Sequence, residues 1–195
     1  MTEYYTRALV LDNLQLNEID REVVLFTYDF GKLKAKVKSG SKINSKLNPH
    51  LQAGSIINAR LLAMGEESSR YQIVDALQTD NLFVMTNNSK SAGDQILYML
   101  TALKALLPAE LPEPDIWQTI TNKQKMDSPR QLLSSLLGLD IEESRCHHCA
   151  HETVSFIDLS EAGVVCQNCY GRLMTSGNFL DNFQNQRFLK ILKTS

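Results

Sequence analysis

Lys32-Leu-Lys-Ala-Lys-Val-Lys38 alternates charged and apolar residues without a break. That period of two is the mark of a strand with one face buried. Working outward, Asp29-Phe30-Gly31 reads as a turn, and Glu22-Val-Val-Leu-Phe-Thr-Tyr28 before it as the partner strand of a hairpin. Arg7-Ala-Leu-Val-Leu11 is a further strand upstream. Ser55-Ile-Ile-Asn-Ala-Arg-Leu-Leu-Ala63 and Arg70-Tyr-Gln-Ile-Val-Asp-Ala76 follow downstream, with a turn over 65–70 between them. Five short strands in under eighty residues predict a small barrel or sandwich, and an OB-fold is the commonest five-stranded candidate.

The polar half of the alternation is entirely lysine. Lys32, Lys34, Lys36, Lys38, Lys42 and Lys46 fall within fifteen residues that contain no acidic residue. Stems on one face of a strand stand roughly 6.6 Å apart, so the row repels itself unless an anion neutralises it. Ser39-Gly40-Ser41 and Asn44-Ser45 carry the last two lysines on a loop. A phosphate backbone suits such a ridge; Lys42 and Lys46 are expected to contribute less than Lys34 and Lys36 if the loop is mobile, and equally if it closes over the strand. The competing explanation is an edge strand that uses lysine to prevent strand pairing. Tyr28 and Phe30 stand close enough to stack on a base, or belong to the core.

Near residue 81 the period changes. Ser91-Ala-Gly-Asp94 can cap a helix carrying Ile96, Leu100, Leu103 and Leu107. Pro108, Pro112 and Pro114 break it, and a second helix carries Ile116, Trp117 and Ile120. Ser128-Pro129 opens a third, which Gly138 closes. Cys146-His-His-Cys149 and Cys166-Gln-Asn-Cys169 then stand sixteen residues apart, with a hairpin expected between them, and 179–192 reads as a helical return. The reading gives a nucleic-acid-binding domain over 1–80 and a helical domain over 81–195, with a knuckle inserted at 146–169.

Two Cys-x-x-Cys pairs at this separation have the spacing of a structural zinc site. Cys146, Cys149, Cys166 and Cys169 are all the cysteines of the chain, and a four-thiolate site leaves no position for substrate. The alternatives are two disulfides or four free thiols. His147, His148 and His151 are neighbours that could replace a ligand or lie exposed. His151-Glu152 lacks the second histidine of a metalloprotease helix, and no deaminase His-x-Glu pair is present. No phosphate-binding glycine loop or nucleophile–base pair is evident either, so no enzyme is expected and no catalytic residue is assigned. A net charge of −2 confines any basic surface to a local patch. Met1-Thr-Glu-Tyr-Tyr-Thr has neither the cationic start nor the apolar run of a signal peptide. The most apolar segment, Ile96 to Leu107, is too short to span a bilayer. A soluble protein of a reducing cytosol, with no membrane partner, is the expectation.

Several segments, in order, resemble the RecO family of bacterial recombinational repair proteins. Arg7–Leu11 looks like its first strand, and Asp20–Thr27 with Gly31-Lys32 like its second strand and glycine turn. Val37-Lys-Ser-Gly-Ser-Lys42 with Ser45-Lys-Leu47 resembles its basic loop. Leu132–Leu139 followed by the four cysteines resembles its last bundle helix and zinc knuckle. Lysines stand where that family usually has arginines, which keeps the charge but gives up bidentate phosphate geometry. The resemblance implies an OB-fold, a helical domain with one structural zinc, and a non-enzymatic role. Such proteins bind single- and double-stranded DNA, anneal complementary strands and help load RecA onto DNA coated by single-strand binding protein. RecR and the tail of single-strand binding protein are the implied partners, in the bacterial cytoplasm and at the nucleoid during repair. A zinc-ribbon adaptor that binds proteins without significant DNA affinity is the competing function.

Overall fold

In the computed structural model, residues 2–42, 45–64, 71–85, 90–121, 138, 143–176 and 188–191 are described. The chain divides into two compact units, 1–126 and 127–195.

The first unit grows from the hairpin. β2 (Arg21–Thr27) and β3 (Gly31–Val37) run antiparallel, with Thr27 opposite Gly31 and Arg21 opposite Val37. The turn between them closes on the Thr27 hydroxyl, which accepts from the Phe30 amide and donates to the Gly31 carbonyl. β1 (Thr2–Gln15) is twice as long and serves two partners: its second half pairs with β2, its first with β4 (Ser55–Ala63). An irregularity between Val10 and Asp12 bends it from one partner to the other. β5 (Tyr71–Asn81) pairs antiparallel with β4 and meets β3 in parallel through Ala35–Tyr71 and Lys36–Gln72. The order β1-β2-β3-β5-β4 thus returns to β1 as a closed barrel. Its interior holds Ala8, Val10, Val23, Leu25, Leu33, Ala35, Val37, Ile57, Leu61 and Ile73.

Ala8–Leu11 and Val23–Phe26 are buried at every residue, not at alternate ones. Half of each run faces the barrel interior, so the other half needs cover. α1 (Leu82–Met85), α2 (Lys90–Leu106) and α3 (Pro114–Thr121) follow the last strand. α2 packs on β1, and Phe26 meets Trp117 of α3 with ring centroids 5.6 Å apart. Ile96, Met99, Leu100, Leu103, Trp117 and Ile120 are buried. Residue 80 therefore marks a change from strands to helices, while the compact unit continues to residue 126. Within this unit α2 and α3 cover the outer faces of β1 and β2. α2 begins at Lys90, one residue before the expected cap.

The second unit, among its described residues, is a small sheet with one helix. β6 (Phe156–Asp158) lies between β7 (Gly163–Val165) and β8 (Phe188–Lys190), and α4 (Gln167–Ser176) follows β7. The hairpin between the cysteine pairs is thus present. The helical return does not hold at Phe188–Lys190, which form a strand on the free edge of β6, with Phe188 edge-on to Tyr170. The helix expected from Ser128 lies outside the described residues, except Gly138, whose φ is +63°. Among the described residues no helix is long and apolar enough to cross a membrane.

Candidate nucleic-acid interface and metal centre

β3 presents the lysine row as its alternation requires. Leu33, Ala35 and Val37 are buried, Lys34 and Lys38 exposed, Lys32 and Lys36 half-buried. The row is not bare charge, however. Lys32 donates its ammonium to the Lys104 carbonyl at 2.8 Å, in the last turn of α2 where the helix dipole favours a cation. Burial, and after it the charge of Lys34, lowers its pKa below the ordinary lysine value. Lys34 reaches Glu22 at 3.1 Å, and Lys36 reaches Asp20 at 2.7 Å. Lys36 stands opposite Glu22 and Lys34 opposite Val24, so each pair is a diagonal across the hairpin. The neutralising anion expected from outside comes, for these lysines, from the chain itself.

The loop beyond β3 is different. Asp20 accepts Lys36 on one carboxylate oxygen and the Ser39 amide on the other, at 2.9 Å. Its pKa is lowered by Lys36 first and Ser39 second. Ser41 donates its amide to the Ile19 carbonyl at 2.9 Å. The loop is thereby tied to the β1–β2 connection. Lys38, Lys42 and Lys46 emerge from it exposed, with no ion pair among the described residues. β3 pairs along its whole length with β2 and meets β5 only at Ala35 and Lys36.

Phe30 packs edge-on against Tyr4 at 5.1 Å and is part of the core. Tyr28 remains 45% exposed and leans on Trp117 at 6.0 Å, where the Arg7 guanidinium also sits, 5.8 Å from the ring centroid. Tyr5, Arg7, Tyr28, Arg60 and Leu77 line a groove of about 580 Å³ on this side of the barrel, together with Asp29 and Asp75. Sequence reasoning missed it because its members come from three strands and the hairpin turn.

In the second unit the sulfurs of Cys146, Cys149, Cys166 and Cys169 lie within 4.8 Å of one another. Cys149 and Cys166 are 3.6 Å apart, far beyond a disulfide bond of about 2.05 Å. Four thiolates at about 2.3 Å from one zinc ion stand about 3.8 Å apart, so the donor set fits that ion. The first knuckle is closed by the Ala150 amide on the Cys146 carbonyl at 2.7 Å, and Ala150 is left-handed at φ +57°. In the second, the Cys169 amide points at the Cys166 sulfur at 3.5 Å. Burial works to raise the Cys146 thiol, but backbone N–H groups outweigh it and bring the pKa down to about 6. Cys169, beside the Cys149 sulfur and desolvated, is pushed up to about 12. Four thiols this close do not all ionise without a cation among them.

The barrel is also where the chain matches a known family. The family model described as "Recombination protein O N terminal" matches residues 1–79, from the start of the chain almost to the end of β5. Proteins described as "DNA repair protein RecO" match at greater length. Those of two Dehalococcoides mccartyi strains are 25% identical over 185 residues, spanning 86% of this chain and 70% of the relative. That of Thermodesulfovibrio yellowstonii is 24% identical over 203 residues, spanning 97% of this chain and 79% of the relative. The chain is thus similar to RecO proteins over most of its length, and its first 79 residues match the RecO N-terminal model.

The acidic partners of the lysine row were the residues missed. The signal for them was available, since the turn at 28–30 fixes the hairpin register and with it the neighbours of Lys34 and Lys36. The role of Lys32 under α2 had no such signal, because 72 residues separate it from its acceptor.

Proposed function

We propose that this protein is a member of the RecO family and a DNA-binding recombination mediator of bacterial recombinational repair, that its barrel is an OB-fold, and that one structural zinc is held by Cys146, Cys149, Cys166 and Cys169. The observation that carries the DNA-binding part is the moored loop with its unpaired Lys38, Lys42 and Lys46 on a barrel matched by the family model. Lys34 and Lys36 join them when phosphate displaces their half-buried carboxylate partners. Lys32 supports α2 and does not contact DNA. Zinc in a four-thiolate site is closed to substrate, which fits a binding role and not catalysis. In this reading the protein binds single- and double-stranded DNA, anneals complementary strands and assists RecA loading on DNA coated by single-strand binding protein. RecR and the tail of single-strand binding protein are its partners, in the cytoplasm and at the nucleoid during repair.

The test is DNA affinity at three salt concentrations. Changing Lys38, Lys42 and Lys46 together to glutamine lowers the single-strand salt slope by roughly 2, at about 0.7 per phosphate contact. Lys34→Gln with Lys36→Gln lowers it by less than the roughly 1.4 that two unpaired lysines would give. Glu22→Gln, which releases Lys34, raises it. Weakening is the same for all sequences, because phosphate contacts carry no base information. An unchanged slope in the triple variant removes the loop from the interface. Affinity that is weak and insensitive in every variant favours the protein-binding adaptor.

A further inference from the structure

Beside the cysteine cluster, and separate from it, a second set of donors converges. One ligand atom from each of His147, His148, Asp158 and Glu161 lies within 4.8 Å of the others. His147 fixes the chemistry. Its Nδ1 stands 3.0 Å from the Val164 carbonyl, which can only accept, so Nδ1 carries the hydrogen. The same carbonyl accepts the His147 amide at 3.0 Å. The ring is wedged there: a β-carbon at Gly163 would lie 2.6 Å from Nδ1. In the neutral ring this leaves a lone pair on Nε2, which faces Glu161 Oε2 at 3.2 Å. Nε2 and the Glu161 carboxylate are therefore placed to share one cation.

A proton would join His147 to Glu161 alone, whereas four donors converge here. The His148 ring lies 3.9 Å from the His147 ring. Asp158, fully buried, holds its carboxylate in place by accepting the Ser160 amide at 3.0 Å and the Ser160 hydroxyl at 2.6 Å. Two ligands of one tetrahedral zinc, at about 2.0–2.1 Å each, stand about 3.3 Å apart, close to the His147–Glu161 separation. A histidine that gives its other N–H to a backbone carbonyl is the usual arrangement of a metal ligand. We propose that His147 Nε2, His148, Asp158 and Glu161 form a second metal site, for a first-row divalent cation of the zinc class. Two imidazoles and two carboxylates suit such an ion and match its charge. The site lies between the first knuckle and the β6–β7 hairpin, so a bound ion clamps the two.

Cobalt(II) titrated into the full metal-free chain under reducing conditions tests this, because the two sites differ in colour. Binding to four thiolates gives intense sulfur-to-cobalt charge transfer, whereas binding to nitrogen and oxygen gives only weak ligand-field bands. The expected result is two equivalents per chain, the second without charge transfer. His148→Ala with Glu161→Gln, both at exposed positions, removes the second equivalent and leaves the charge-transfer band at full height. One equivalent in the unaltered chain, or a second equivalent indifferent to the double variant, overturns the proposal. One equivalent with the His147 ring doubly protonated by NMR assigns the pair to a plain ion pair. Absence of the charge-transfer band would instead remove the four-cysteine zinc site, so the two failures are distinguishable.

Discussion

Cys146→Ser is expected to unfold the second unit and leave the first intact. The apolar cluster around the cysteines shows why. Its buried members are Cys146, Phe156, Val165, Cys166 and Cys169, with Val154, Tyr170, Leu173 and Phe188 packed against them. Three of the five are the thiols themselves, so the metal site and the core are one object. A core of this size does not hold a fold without a staple. Structural zinc contributes on the order of 10–16 kcal/mol in small metal-dependent domains, and loss of one thiolate forfeits a large share. Zinc content should fall from one per chain in the cysteine site to near zero. The Phe156–Tyr170 stack, at 3.8 Å, should dissolve along with the three-stranded sheet. Trp117, the single tryptophan, lies in the first unit, so its fluorescence should not change. Full zinc binding by the variant, or a shift in Trp117 emission of the size seen on unfolding, would contradict this. Acid acts in the same direction. The folded chain brings the Cys146 pKa down from 9.0 to about 6. In the metal-free chain, stability from that thiolate is therefore complete above pH 9 and lost as pH falls through 6. Cys169 has the opposite shift, and in the metal-free chain its contribution is lost above pH 9.

Gly31→Ala is expected to be the most damaging single methyl in the first unit. Gly31 has φ +70°, and a β-carbon there would lie 2.0 Å from the Leu111 carbonyl oxygen. The left-handed conformation costs a side chain about 1–2 kcal/mol. The obstacle is backbone, and it is tethered: the Glu110 amide donates to the Lys32 carbonyl at 2.8 Å. Displacing it costs about a further 1–3 kcal/mol. The sum is about 2–5 kcal/mol, a fall in Tm of roughly 10 °C for a unit of this size. Gly93→Ala is the control. It lies in α2 with open space where its β-carbon would go, and it should stabilise the unit by about 0.5–1 kcal/mol. Urea unfolding followed at Trp117 reads both. A Gly31→Ala protein that unfolds at the same urea concentration as the parent would show that the 109–111 segment yields freely.

The strands were legible because their period is local. Lys32–Lys38 alternates in the sequence and in the burial alike. The hairpin turn was legible for the same reason, since the residues that make it are adjacent. Two runs carry a further meaning. Ala8-Leu-Val-Leu11 and Val23-Val-Leu-Phe26 do not alternate, and a run that is apolar throughout must be covered on both faces. That cover is α2 and α3, which is why the first unit runs past residue 80. In the candidate interface the lysines were visible but their partners were not, because Asp20 and Glu22 lie outside the fifteen-residue window and enter only through the hairpin register. The cysteines were the easiest part, as knuckle spacing is itself the geometry. Phe188 was the hardest: its apolar neighbours suggested a helix, while the open side of β6, formed thirty residues earlier, drew it into a sheet.

The ring of strands has one thin seam. β3 and β5 share two residue pairs, whereas β2 and β3 share seven. Opening this seam breaks few hydrogen bonds and leaves the β1–β2–β3 and β1–β4–β5 ladders whole. Fluctuations that expose backbone amides should therefore concentrate at residues 35–36 and 71–72, well below the cost of global unfolding. The lysine row and its loop are carried by one lip of that seam, and the loop's mooring to residues 19–20 travels with the β2–β3 lip. The charged strand can thus part from β5 without surrendering its own register, a hinge running along the barrel wall beside the proposed polyanion track.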